Sequence, residues 1–269
     1  MSLNRDAQSR QSWAPAVVGS MRAEAAERKG ASDFQPPPAD RLRIAEIYAS
    51  RQGEGRWTGA PSVFLRKSGC NLRCWFCDTP FASWHPEGES LTVDEAVSRV
   101  LAFSESDVVV TGGEPLLFPR IGEVCRRLRK AEKRITIETA GTIDQLFECD
   151  LLSISPKLAS SAPEAVAHPT WHATHQARRQ RLDLVRRWTH QYDYQLKFVV
   201  SDMHDVAEVS GYLEQLGSVD PDRVWMMPEG TTVEVLESRA SWLVPWCEEQ
   251  GFRYCPRSHI YWFGNRRGT

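Results

Sequence analysis

No apolar run in this 269-residue chain approaches the roughly 18–20 residues needed to cross a bilayer. The opening segment, MSLNRDAQSRQSWAPAVV, lacks the compact apolar region of a secretory leader. An excess of charge is missing too. Lys and Arg total 33 against 35 Asp and Glu, a formal net charge of -2. That balance argues against a nucleic-acid-coating or membrane-surface protein. An even set of cysteines is missing as well: there are seven, three of them clustered, which fits a reducing compartment and a metal site better than a disulfide framework. These absences point to a cytoplasmic protein with no nucleic-acid or membrane partner.

What is present is a core-forming composition, 41% apolar, at a length that suits one large α/β domain or two small ones. Residues 1–40 stand apart. They are rich in Ala, Arg, Ser and Glu and end in Pro36-Pro37-Pro38, which predicts a flexible or loosely docked N-terminal extension. Within it MRAEAAERK has the composition of a short helix. Residues 41–269 read as one folded domain. Strands are predicted at 44–49, 63–67, 107–110, 134–138, 151–154, 194–200 and 224–227, with 252–255 closing the sheet. Helices are predicted at 92–103, 120–131, 173–188, 207–216 and 233–250, with a short one after Ala140-Gly141. Thr92 followed by Glu95 has the pattern of a capping box. Strands alternating with helices imply parallel βα units. A closed eight-stranded barrel takes about 250 residues, more than remain after the extension. The expected fold is therefore a partial, open barrel of about six parallel strands.

The most informative run is Cys70-Asn71-Leu72-Arg73-Cys74-Trp75-Phe76-Cys77, and no fourth cysteine stands nearby. Iron–sulfur clusters and structural zinc sites usually take four protein ligands. Three thiolates on a four-iron cube leave one iron open to a cofactor or substrate. A zinc knuckle is the competing reading, and His85 is the nearest candidate for its fourth ligand. In parallel α/β folds ligands gather at the carboxyl ends of the strands. The cysteines follow the 63–67 strand, Gly112-Gly113-Glu114 the next, and Glu138 ends the third. Ser155-Pro156-Lys157 and Met227-Pro228-Glu229-Gly230 end two more. All would converge on one mouth.

The ordered set carries a resemblance. Gln52-Gly53-Glu54-Gly55 precedes the cysteines, Cys77-Asp78-Thr79 closes them, and Thr111-Gly112-Gly113-Glu114-Pro115, Glu138-Thr139-Ala140-Gly141 and Ser155-Pro156-Lys157 follow. Over about residues 42–267 this is similar to the 7-carboxy-7-deazaguanine synthase family of the radical S-adenosylmethionine superfamily. The resemblance implies a 4Fe-4S cluster on Cys70, Cys74 and Cys77. Its free iron binds the amino and carboxylate groups of S-adenosylmethionine, and one electron cleaves the sulfonium to methionine and a 5′-deoxyadenosyl radical. The cofactor site it implies comprises Phe76, Cys77, Asp78, Gly113, Ser155, Pro156, Lys157, Met227, Pro228, Glu229 and Gly230. It places Mg²⁺ at Thr79. The implied substrate, 6-carboxy-5,6,7,8-tetrahydropterin, meets Arg51, Gln52, Gly53, Arg66, Thr111, Glu138 and His259, and loses ammonia to give 7-carboxy-7-deazaguanine. Strand alternation supports Arg66 independently, because it sets that side chain on the face opposite Leu65 and Lys67. A flavodoxin- or ferredoxin-like electron donor and a homodimer are further implications. Some members of the family end in a proline whose carboxylate reaches the substrate, whereas this chain ends in Gly268-Thr269.

Two other readings stay open at this level: a relative that sets a radical on a partner protein, and a zinc or iron–sulfur binding module without enzymatic activity. His168, His172 and His175 do not read as a metal site. Pro169 and the basic run Arg178-Arg179-Gln180-Arg181 mark that stretch as an exposed insertion. Cys125, Cys149, Cys247 and Cys255 are scattered and read as buried or inert thiols.

Overall fold

The computed structural model describes residues 40–269. The expectations for residues 1–39, including the short helix, lie outside the described residues.

Nine strands form one sheet: β1 (Arg41–Arg51), β2 (Pro61–Lys67), β3 (Glu89–Thr92), β4 (Asp107–Gly112), β5 (Arg134–Thr139), β6 (Leu151–Ile154), β7 (Tyr194–Val200), β8 (Val224–Pro228) and β9 (Arg253–Tyr254). Their order is β3-β1-β2-β4-β5-β6-β7-β8-β9. From β2 through β9 every neighbouring pair is parallel. The helices are α1 (Val93–Leu101), α2 (Ile121–Lys130), α3 (Pro169–Arg178), α4 (Leu182–Gln191), α5 (Met203–Leu216), α6 (Val233–Gln250) and α7 (Ser258–Phe263). The sheet has two free ends, so the barrel is open as expected.

Alternation along the strands divides core from site. In β2, Val63 and Leu65 are fully buried in the apolar core, while Phe64 and Arg66 face the cavity on the other side. The Thr92 capping box forms as predicted, with Glu95 N–H donating to Thr92 Oγ1 at 3.2 Å and Thr92 N–H donating back to Glu95 at 2.7 Å.

Four expectations need correcting. The first strand is longer than predicted and antiparallel to the second. A parallel crossover needs about a dozen residues or more, and the 52–60 connection is only long enough for a hairpin. β3 was not anticipated; it adds antiparallel to β1 at the sheet edge. No helix follows Gly141. That stretch runs as a loop, with Phe147 tucked against the core and Gln145 donating to Leu116 O at 2.5 Å. The polar helix predicted at 173–188 is two helices. The first closes at Arg179, and the backbone leaves the helical region at Arg181 (φ -137°, ψ 71°), which opens the second; the Arg179 guanidinium donates to Lys157 O at 3.0 Å and Glu208 at 2.6 Å.

Candidate active site

One cavity of about 590 Å³ opens at the carboxyl ends of the parallel strands. The three clustered cysteines, Phe76, Asp78, Thr79, Gly113, Ser155, Lys157 and Met227 all line it. So do Arg51, Gln52, Gly53, Arg66, Thr111, Glu138 and His259. Pro156, Pro228, Glu229 and Gly230 are absent from the lining. Glu229 is engaged by Arg239 at 2.5 Å, and the Gly230 carbonyl accepts from Arg257.

The cysteine loop is fixed by backbone contacts with its neighbours. Gly69 N–H donates to Ala82 O at 2.7 Å, Gly113 N–H to Lys67 O at 3.0 Å, and Glu114 N–H to Gly69 O at 2.9 Å. A Cβ on Gly113 would stand 2.3 Å from Gly69 O and 2.5 Å from Ala82 O, so glycine permits this close approach. Glu114, fully buried, ties two strand ends together by accepting from Leu116 N–H, Ala140 N–H and Thr139 Oγ1–H at 3.0, 2.8 and 2.8 Å. Burial raises its carboxyl pKa against those donors.

Burial pushes the Cys70 thiol up to about 12 and the Cys74 thiol to about 11, the latter against the pull of the Lys157 ammonium. Leu72 N–H donates to Cys70 Sγ at 3.4 Å, and Cys77 Sγ lies 3.1 Å from Ser83 Oγ. Among the described residues, no three His, Cys, Asp or Glu side chains are grouped to share one metal ion. A four-iron cube asks for a different arrangement, one thiolate on each of three irons. Three soft donors on one loop, with a hydrogen bond to the sulfur of one, fit that group.

Beyond the cysteines, a polar row crosses the sheet. Glu46 stands opposite Arg66 in the β1–β2 register, Arg66 opposite Thr111, Glu138 opposite Ser153, and Ser153 opposite Gln195. Arg66 donates to Glu46 at 2.7 Å and to Tyr48 Oη at 3.0 Å, and the Tyr48 ring stacks on Phe64 at 5.2 Å. Its fork is therefore already held by strand β1. Gln52 bridges Glu138, to which it donates at 3.2 Å, and Glu54 N–H, from which it accepts at 3.1 Å.

At one side lies a buried charge cluster. Glu54 pairs with Lys197 and has Arg257 at 3.5 Å and His259 at 3.9 Å. Arg257 also pairs with Asp78. Burial alone would raise the Glu54 carboxyl pKa, but Lys197 and Arg257 hold it well below the usual carboxylate range. Burial lowers His259 against the attraction of Glu54. Gly53 makes room for that ring, since a Cβ there would stand 2.3 Å from His259 Nδ1.

Lys197, Arg257, Glu46 and Tyr48 also line the cavity and carry no motif. A signal exists for Lys197. Gln195 and Lys197 alternate with Leu196 and Phe198 in a parallel strand, where both faces are normally apolar. His175, expected on an exposed insertion, is instead fully buried (0% exposed) and accepts from Arg73 N–H. The four scattered cysteines are free thiols; Cys125, Cys247 and Cys255 are buried and Cys149 is partly so.

The chain matches the model of the radical SAM superfamily over residues 66–191. It is 46% identical over 229 residues to 7-carboxy-7-deazaguanine synthase of Rhodopirellula baltica, covering 85% of this chain and 89% of the relative. It is 42% identical over 229 residues to the synthase of the same name from Halobacterium salinarum, covering 81% and 89%. The crystal structure of QueE from Escherichia coli superposes with a TM-score of 0.59 at 19% identity, covering 80% of this chain and 93% of that one, and so shares the fold. An open, mostly parallel sheet, three cysteines at the mouth of its cavity and identity along most of the chain converge on one conclusion: the chain belongs to the 7-carboxy-7-deazaguanine synthase family of radical S-adenosylmethionine enzymes.

Proposed function

We propose that this enzyme converts 6-carboxy-5,6,7,8-tetrahydropterin to 7-carboxy-7-deazaguanine with loss of ammonia. The observation that carries this reading is a single cavity in which the three thiols meet the polar row of Arg66, Thr111 and Glu138. Its volume falls in the range of about 300–1,000 Å³ common to small-molecule sites.

Cys70, Cys74 and Cys77 hold the 4Fe-4S cluster. Phe76, Asp78, Gly113, Ser155, Lys157 and Met227 line the S-adenosylmethionine pocket, while Pro156, Pro228, Glu229 and Gly230 brace it from behind. Bound together, the cluster and cofactor supply one-electron chemistry able to remove a hydrogen atom from the substrate. The chain's own part is to bind, orient and exclude water. Lys157 donates to Ser155 Oγ at 2.7 Å, which presents a fixed cationic edge to a carboxylate. Gln52 and Glu138, already joined, offer a donor and an acceptor to a guanine-like pterin edge. Arg66, Arg51 and His259 face its anionic or carbonyl groups. Gly53 serves by the space that it leaves for His259. Thr79 would supply an oxygen ligand to a Mg²⁺, whose chemistry there would be to orient the substrate carboxylate.

No helix among the described residues is long and apolar enough to cross a membrane. We place the enzyme in the cytoplasm, as a homodimer reduced by a flavodoxin- or ferredoxin-like donor, with residues 41–269 as the catalytic domain behind an N-terminal extension.

Anaerobic reconstitution followed by incubation with the carboxy-tetrahydropterin, a reductant and Mg²⁺ tests this. Iron and sulfide of about four each per chain and a deazapurine product are expected. Cofactor cleavage without that product would move the chain to another radical enzyme, such as one acting on a partner protein. Stoichiometric zinc with no cleavage would remove the enzymatic reading.

A further inference from the structure

Helix α3 lies in the connection from β6 to β7, and none of its residues lines the cavity. One of its side chains nevertheless reaches the cysteine loop. His175 accepts from Arg73 N–H through Nδ1 at 3.1 Å. A backbone amide can only donate, so Nδ1 is bare and the ring proton sits on Nε2. Burial, the largest cause, and the nearby Lys157 and Arg179 cations push this imidazole down to about 4, so it is neutral near pH 7. Nε2–H therefore donates to Ser161 Oγ at 2.8 Å, and Ser161 O–H donates onward to Leu158 O at 2.6 Å. The chain of donors has one direction. It starts at the residue before Cys74 and ends at the residue after Lys157.

Other contacts follow the same route. Trp75 N–H donates to Ser161 O at 3.1 Å, and Trp75 Nε1–H to Ser160 O at 2.9 Å. The Arg73 guanidinium lies 4.0 Å from the centre of the Trp171 ring on α3. The turn at 158–161 and α3 thus hold the outer side of the cysteine loop at Arg73 and Trp75.

We propose that His175 is a positioning residue whose Nδ1 satisfies Arg73 N–H and so anchors the cysteine loop to α3, holding that wall of the cofactor pocket in place before cofactor arrives. This rests on the reading of Cys70, Cys74, Cys77, Ser155 and Lys157 given above. The ring is suited to the task because both nitrogens are used and neither carries charge into a buried site. Losing the Nδ1 acceptor leaves a partly buried N–H without a partner, which favours local opening of the loop by about tenfold or more.

Two variants separate this role from simple packing. His175→Asn sets an amide oxygen near the Nδ1 position and still accepts from Arg73. His175→Gln sets its amide near the Nε2 position, keeps Ser161 and strands the Arg73 N–H. The readouts are amide exchange of the 70–77 segment in full-length apoprotein and the rate at which a chelator strips iron after reconstitution. The Gln variant is expected to exchange about tenfold faster there and to lose iron correspondingly faster, with the Asn variant within about threefold of wild type. Equal behaviour of the two, or faster exchange in the Asn variant, overturns the proposal. Where the Gln variant fails to fold, Asn and Ser161→Ala decide: both retain the Arg73 bond, and a labile cluster or an unfolded chain in either overturns it. The predicted exchange pattern in a wild-type protein that takes up no iron would sink the cluster reading while leaving the His175 lock intact.

Discussion

Arg257 is joined to Asp78 across 179 positions of sequence, and the pair ties the C-terminal segment to the residue that follows Cys77. The Arg257 side chain is 5% exposed, adopts a left-handed backbone (φ 53°), and also reaches the Gly230 carbonyl and Glu54. One guanidinium therefore connects the cysteine loop, the end of β8 and the turn after β1. Its planar fork allows this, whereas an ammonium is a single point of charge.

Removing that guanidinium takes from buried Glu54 one of its two cationic partners, Lys197 remaining, and unpairs Asp78 at the surface. Each lost hydrogen bond to a charged group is worth about 1.5–3 kcal/mol. Arg257→Gln should lower the melting temperature of the apoprotein by about 5–10 °C and weaken S-adenosylmethionine binding to the reconstituted enzyme by about tenfold or more. Arg257→Lys should fall between, since it keeps the charge but cannot span Asp78 and Gly230 together. Thermal melts and equilibrium cofactor binding check both; an unchanged melt in the Gln variant would contradict the role.

Glu54 and Lys197 give the site a pH signature. The Glu54 carboxyl is depressed despite burial, so its contribution to stability is complete above about 4.5 and fades as the pH falls below that. The Lys197 ammonium is raised by Glu54 against burial, so its contribution is complete below 10.5 and fades as the pH climbs past that. A Glu54→Gln, Lys197→Met double variant removes both terms. Between about pH 5 and pH 3 the wild-type melting temperature should fall more steeply than the double variant's, the other carboxylates being common to both. Parallel curves would show that the pair does not govern acid stability.

The sequence makes legible what lies close along the chain. Cys70, Cys74 and Cys77, Gly113, Ser155 and Lys157 sit at strand ends that periodicity locates, and all line the cavity. The antiparallel β1 was missed because alternation is the same for either strand direction; only the short 52–60 connection distinguishes them. Lys197 and Glu54 are 143 positions apart and meet only through the sheet order. His175 looks solvated beside Arg178 and Arg181, yet the fold turns its ring inward to a backbone amide. Composition cannot register such a bond.

The cysteines divide by what surrounds them. Cys70, Cys74 and Cys77 face the cavity, whereas Cys125 and Cys247 sit in the apolar core. Cys70→Ala, Cys74→Ala and Cys77→Ala should each abolish cluster uptake, measured as iron and sulfide per chain after reconstitution. Cys125→Ala and Cys247→Ala should retain it, with a loss of stability of about 1 kcal/mol or more from the cavities left behind. Turnover surviving in the Cys74 variant would refute the ligand assignment.

Two glycines give opposite expectations for the same substitution. At Gly113 the new methyl meets backbone oxygens of Gly69 and Ala82 at 2.3 and 2.5 Å, and neither can rotate away as a side chain would. The cysteine loop must shift, at a cost of about 1–3 kcal/mol, so Gly113→Ala should reduce both melting temperature and iron content. Gly211 lies within α5, and a methyl there meets nothing within 4 Å. In a helix interior alanine is favoured over glycine by about 1 kcal/mol. Gly211→Ala should therefore raise the melting temperature by about 2–4 °C and leave iron content and turnover at wild-type levels. Equal iron content in the two variants would mean that the close approach at Gly113 does not shape the cluster loop.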